Sequence, residues 1–376
     1  MRRRMTFLLA IVVIAFVVAS GVAWAATISC PNRTGNVCVG TNKKDNMIGR
    51  NRADDMHARG GHDALRARGG NDRLDGGSGN DSLLAQGGSD QVDGGVGDDS
   101  LGGAGGNETY VFRNGWGVDT LFVDPLGIDT LDFSALTSGV AVSLIPSLNN
   151  EAISDANRLN FRSSVIIEYV RGGRNRDYLS GNGAKNRLSG NDGSDSLFGQ
   201  GSNDALFGGP LHDYLSGGPG DDALNAGEGD DRYVFGNGWS SDTITADASG
   251  TDELDFSTLS SSVTVDLAAT DSSIEVSSGA NTLNFPSTVL IEYARAGEAA
   301  DLLYGNASRN RLDGRGGDDT IDVADGDAGD IVDCGPDTTI KGDTVDVDAV
   351  QNPSTGTIDL IDFATNCEVV NRVLMN

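Results

Sequence analysis

The chain has 376 residues, with 55 acidic against 27 basic side chains and a formal charge of −28. A surface of that sign repels phosphate, which argues against nucleic acid as a partner, and it attracts divalent cations. Only three histidines, His57, His62 and His212, are available for acid–base or metal chemistry.

Residues 1–25 read as a signal peptide. Arg2, Arg3 and Arg4 precede an apolar run from Phe7 to Val18, and Ala23-Trp24-Ala25 supplies the small residues for cleavage after Ala25. An uncleaved anchor is the rival reading, but the run is shorter than the roughly 20 residues a spanning helix needs, and no later segment could cross a bilayer. Cleavage leaves 24 basic against 55 acidic residues. Export makes disulfides the default for the four cysteines. Of three connectivities the local one is expected, Cys30 with Cys38 in an N-terminal cap (26–39) and Cys334 with Cys367 in a C-terminal tail (334–376), because each pair caps one end of the repeats. Zinc is the poorer reading, since no Cys-x-x-Cys spacing or nearby histidine is present.

Residues 40–111 form a repeat array. Steps of nine from Asp81 meet Asp45, Asp54, Asp63, Asp72, Asp90, Asp99 and Glu108, and two residues after each acid stands Met47, Met56, Leu65, Leu74, Leu83, Val92, Leu101 or Tyr110. A spacer (112–171) follows, then a second array (172–234) with Asp177, Asn186, Asp195, Asp204, Asp213, Asp222 and Asp231 in the same step. A second spacer (235–295) leads to a short third array (296–333) of Asp301, Asn310 and Asp319, which slips register near Asp330. The unit is duplicated: YVFRNGWGVDTL at Tyr110 returns as YVFGNGWSSDTI at Tyr233, an offset of 123 residues.

In GGSGND, Gly76 to Asp81, glycines at positions one, two and four allow positive φ and expose carbonyls in a tight turn, while the acid at position six adds a charged oxygen. A hard cation such as calcium takes six to eight oxygens of this kind. The remaining three residues make a short strand. Two such halves make a coil of eighteen residues, so Asp63, Asp81 and Asp99 stack in one column and Asp54, Asp72 and Asp90 in another, with the leucine position pointing into a thin core between facing sheets. One buried leucine per nine residues offsets too little chain entropy, so folding is expected to be coupled to calcium.

GGSGNDSLL and GGVGDDSLG at Gly94 resemble the RTX, or haemolysin-type calcium-binding, repeat with consensus G-G-x-G-x-D-x-(apolar)-x. The resemblance implies an all-β fold, a parallel β-roll with several calcium ions held by aspartates and turn carbonyls. Carried over residue by residue, the metal set is Asp63, Asp72, Asp81, Asp90 and Asp99 with Gly77, Gly79, Gly95 and Gly97, then Asp195, Asp204, Asp222, Asp231 and Asp319. Lys43 and Arg52 replace the position-four glycine before Asp45 and Asp54, Leu211 replaces it before Asp213, and Asn186 and Asn310 replace the acid, so those turns are expected to lack a full site.

Relatives of this kind pair the roll with toxin or hydrolase domains, which are not carried over to this chain. No His-Glu-x-x-His motif or Gly-x-Ser-x-Gly elbow occurs, the histidines sit at variable turn positions where a solvated side chain is the simplest reading, and paired acids such as Asp98-Asp99 and Asp221-Asp222 belong to the repeat. Trp116 and Trp239 occupy matched positions, where core or a cap over the roll's open end is preferred to sugar stacking. The expected function is therefore a secreted, extracellular, non-enzymatic calcium-binding scaffold, structural or surface-interacting, with cell-surface or matrix polysaccharide as a candidate partner. The alternative is a secreted calcium-dependent hydrolase or carbohydrate-binding protein with its site in the spacers.

Overall fold

A computed structural model describes residues 26–30, 37–145, 151–162, 165–247, 249–268, 276–286, 288–323, 329–335, 344–351, 358–360, 363–367 and 369–374. The expected signal segment, 1–25, lies outside them. Among the described residues the chain is all-β, a parallel β-solenoid of about 16 turns with no helix.

Two ladders face each other. Ala64–Gly69, Ser82–Gly88 and Ser100–Gly106 stack in parallel on one side, pairing Leu65 with Leu83 and Leu83 with Leu101. Arg73–Asp75, Gln91–Asp93 and Thr109–Val111 stack on the other, pairing Leu74 with Val92 and Val92 with Tyr110. The step is eighteen residues, as the nine-residue period requires. Each short strand points its central side chain inward and its neighbours outward, so every leucine-position residue from Met47 to Leu101 is fully buried.

The spacers continue these ladders. Thr109–Val111 pairs with Thr130–Asp132, which pairs with Tyr169–Arg171 and then Arg187–Ser189 of the second array. Of the two readings expected for Trp116, core or a cap over an open end, the continuous ladder leaves core. The step widens here to 21 residues between Tyr110 and Leu131, and larger rings fill the wider coil. Phe112 stacks on Phe133 at 4.9 Å between centroids and meets Trp116 edge-on at 5.5 Å. Phe235, Trp239 and Phe256 repeat the cluster at 4.7 to 5.1 Å. Both indoles are 1% exposed, so both tryptophans are core.

Each spacer also adds an antiparallel excursion. Ala141–Ser143, Glu151–Ser154 and Asn157–Phe161 lie in the ladder of Ser100–Gly106, whereas Thr264–Asp266, Val276–Ser278 and Asn281–Asn284 lie in the opposite one. An odd number of half-coils separates the copies, which puts matched features on opposite faces. At the ends, Cys30 is bonded to Cys38 and Cys334 to Cys367, the local pairing expected.

Candidate metal-binding turns

The position-six acids form two buried hydrogen-bonded columns. The N–H of Asp63 donates to Asp81 Oδ1 and that of Asp81 to Asp99 Oδ1, both at 2.7 Å, while Asp54 and Asp72 donate in the same way to Asp72 and Asp90. The second array repeats this from Asp177 to Asp195, Asp195 to Asp213 and Asp213 to Asp231, and from Asn186 to Asp204 and Asp204 to Asp222. One carboxylate oxygen per turn is thus committed to the neighbouring coil.

The position-five side chains form an outer ladder of opposite polarity. Asn71 Oδ1 accepts from the N–H of Ser89, and Asn80 Oδ1 from that of Asp98. His62 Nδ1 accepts from Asn80 N–H at 2.8 Å and His212 Nδ1 from Asp230 N–H at 2.9 Å. His57 lies between Asp55 and Asp75. His62 and His212 therefore stitch turns and His57 links adjacent strands, so none is merely solvated.

The second carboxylate oxygen sorts the turns into two kinds. In the first coil of each array it is satisfied locally, by the N–H four residues earlier: Thr41 to Asp45 and Arg50 to Asp54 at 2.6 Å, Gly173 to Asp177 at 2.6 Å, and Gly297 to Asp301 at 3.0 Å. Asn186 and Asn310 accept the same bond, and Asn186 Nδ2 points its hydrogens at the carbonyls of Ile167 and Glu168. These turns are internally satisfied apart from Asp45 Oδ1 at the head of its column.

In the other turns, Oδ2 of Asp63, Asp72, Asp81, Asp90, Asp99, Asp195, Asp204, Asp213, Asp222 and Asp231 is buried with no donor. All ten share one backbone feature: the residues four and two before the acid both sit at positive φ, as at Gly77 (91°) and Gly79 (124°), and Gly95 (94°) and Gly97 (143°). That conformation turns the position-two N–H away from the carboxylate. Position one is glycine or alanine in these turns, and at Gly76 a Cβ would fall 2.7 Å from Asp81 Oδ2. A buried acceptor without a donor is costly, and oxygen-only turns of this kind fit a hard cation.

Burial raises the pKa of these acids, opposed by the ladder N–H. Asp72 and Asp81 reach about 7, Asp204 and Asp213 about 8, and Asp99, Asp195, Asp222 and Asp231 about 6. Neighbouring carboxylates one coil away add to the rise at Asp81 and Asp213.

The aspartates expected to bind metal all sit in these columns. Asp319 lies there too, accepting from Asp301 N–H with Gly317 at φ 128°. Leu211 itself adopts φ 78° before Asp213 and Ser202 adopts 72° before Asp204, so these turns keep the backbone of the glycine-containing ones. Two spacer acids lie outside the glycine-marked nonapeptide frame. Asp119 follows Gly117 (92°) and Asp242 follows Ser240 (71°); each continues a column through a 20-residue step and has a buried, donorless Oδ2. Missed in the sequence were two clusters of three carboxylates at the array exits, Glu108 with Asp124 and Asp129, and Asp231 with Asp247 and Asp252. The 123-residue offset, which maps each member of the first onto the second, was the signal that could have found them.

A family model of the RTX calcium-binding nonapeptide repeat (4 copies) matches residues 39–74, 48–83, 75–110, 167–197, 180–215, 207–238 and 295–329. The chain carries RTX calcium-binding repeats. The RTX matches fall on the three arrays and leave most of each spacer unmatched. No curated protein matches the chain. Among solved structures, the extracellular lipase LipA from Serratia marcescens aligns at 15% identity over 69% of this chain, with a TM-score of 0.18. This chain spans 39% of that lipase, a likeness that carries no argument about activity. No helix among the described residues is long and apolar enough to cross a membrane.

Proposed function

We propose that the protein is an exported, non-enzymatic scaffold whose roll is held by calcium in the turns that leave a carboxylate oxygen without a donor. The observation that carries this reading is the coincidence, turn by turn, of positive φ at positions two and four with an orphaned Oδ2 at position six. Asp63, Asp72, Asp81, Asp90 and Asp99, then Asp195, Asp204, Asp213, Asp222 and Asp231, would hold ions together with turn carbonyls such as those of Gly77, Gly79, Gly95 and Gly97. When bound, calcium neutralises the stacked acids and bridges successive coils.

A low cytosolic calcium level would leave the acids repelling one another and the arrays extended for export, and extracellular calcium would then drive folding. The N-terminal segment supports export. The engagement of His62 and His212 between turns and of His57 between strands supports a structural rather than a catalytic role, and the burial of Trp116 and Trp239 removes the tryptophans as sugar platforms. Circular dichroism of the mature chain during a calcium titration tests the reading. A cooperative rise of β signal at roughly 10⁻⁴ to 10⁻³ M is expected for extracellular sites, and a β-rich spectrum indifferent to excess chelator would contradict it.

A further inference from the structure

The first two arrays each end in a carboxylate cluster that the nonapeptide does not encode. In the first, Glu108 closes the array, and Asp124 and Asp129 reach in from the following spacer, with one oxygen of each within 4.8 Å of the others. That span fits two ligands on opposite sides of one calcium at about 2.4 Å each. All three residues are at most 1% exposed. Both oxygens of Glu108 are buried without any hydrogen-bond donor, and they face carboxylates that, when ionised, can only accept. Every other position-six acid described above commits one oxygen to a backbone N–H; Glu108 commits none. No lysine, arginine or histidine among the described residues forms an ion pair with Glu108, Asp124 or Asp129. Among the described residues the one hydroxyl donor is Tyr110, which donates to Asp124 Oδ2 at 2.6 Å.

The second copy keeps the arrangement with different residues. Asp231, Asp247 and Asp252 converge in the same way, and Tyr233 donates to Asp247 Oδ2 at 2.8 Å. Beneath the first cluster lies Gly103, where a Cβ would collide with Glu108 Oε2 and fall 2.8 Å from Asp124 Oδ2. The matching residue in the second copy is Ala226, fully buried. A longer acid over glycine in one copy and a shorter acid over alanine in the other conserve the volume of the site.

We propose that the exit of each of the first two arrays holds one calcium-class divalent cation on three side-chain carboxylates, Glu108, Asp124 and Asp129 in the first unit and Asp231, Asp247 and Asp252 in the second, where the ion takes Asp231 Oδ2 in place of a turn ion. An odd number of half-coils separates the two, so they lie on opposite faces of the roll. Each joins an array to its spacer, which locks the widened aromatic coil onto the repeat that precedes it. The oxygen-only donor set and its three negative charges select a hard cation over zinc or copper.

Calcium bound per chain, measured by equilibrium dialysis at saturation, tests this on the full mature protein. Glu108→Gln and Gly103→Ala should each bind one ion fewer than wild type. The double variant Gly103→Ala/Glu108→Asp rebuilds the second unit's residues and should restore the count. Terbium emission sensitised by Tyr110 should fall with the two single variants and return with the double one. Equal counts in all four proteins, with Glu108→Gln as stable as wild type, would mean that the cluster holds a shared proton and would overturn the proposal. If a single variant does not fold, the double variant decides: a full count supports the site and a count short by one sinks it. Wild type that binds no calcium would instead sink the reading of the turns.

Discussion

Arrays and spacers share the same two ladders but are held together by different physics. In the first array each half-coil buries one leucine-sized side chain and, from Asp63 onward, one carboxylate oxygen without a donor. In the spacers the same ladders enclose Phe112, Trp116 and Phe133, or Phe235, Trp239 and Phe256, with ring centroids 4.7 to 5.6 Å apart. The aromatic core of a spacer therefore stands on apolar burial, which needs no ion, although its column acid, Asp119 or Asp242, carries the same donorless oxygen as the arrays. An array's coils beyond its first are electrostatically incomplete until a cation arrives.

The largest test of that contrast is in the aromatic clusters. Phe133→Ala should destabilise by about 3 to 5 kcal/mol, the range for truncating a buried aromatic ring. The loss should be the same at saturating calcium and in chelator for whatever structure persists there, read by denaturant unfolding. A loss seen only with calcium would mean the spacers depend on the arrays.

Acidity should act on all the stacked acids, which in the spacers include Asp119 and Asp242, each raised to about 8 by burial. The turn acids have folded pKa values raised to about 6 to 8 in the ion-free state, for example Asp99, Asp81 and Asp204, whereas unfolded aspartate titrates near 3.9. The folded state therefore binds the extra protons, so ion-free stability is greatest below about pH 4 and is lost as pH rises through 6 to 8. In chelator, acidification from pH 8 to 5 should raise the β signal. With calcium present the sign reverses, because protons compete for the same oxygens: the calcium midpoint should rise as pH falls below about 7. A midpoint flat across that window would remove the raised acids from the binding event.

The smallest effect is at Leu211. This residue holds φ 78° and is 57% exposed, so Leu211→Gly removes left-handed strain without removing core. A gain of about 0.5 to 1 kcal/mol is expected after glycine's own entropic cost, visible as a small upward shift of the thermal midpoint at fixed calcium. A loss would show that the leucine contributes contacts worth more than its strain.

The repeat, the eighteen-residue coil, the two columns and both disulfide pairings were legible in the sequence because period and side-chain alternation are local properties. Competence of a turn was only partly legible. Glycine is a good sign of positive φ, but Ser202, Leu211 and Ser240 adopt it when the stacked coil above and below dictates the backbone, and no single-residue preference reveals that. The continuity of the ladders through the spacers was missed, because a widened step of 20 or 21 residues breaks the period while preserving the register. The exit clusters were missed for a related reason: Asp124 and Asp129 lie outside the nine-residue frame and meet Glu108 only once the coil has widened.

Hydrogen exchange of the mature chain, followed segment by segment in calcium and in chelator, tests the division most directly. The account predicts that chelation strips protection from strands such as Ser82–Gly88, Gln91–Asp93 and Ala223–Glu228, while Thr130–Asp132 and Glu253–Asp255 beside the aromatic clusters keep more of theirs. Protection lost uniformly along the chain, or not lost at all, would contradict it.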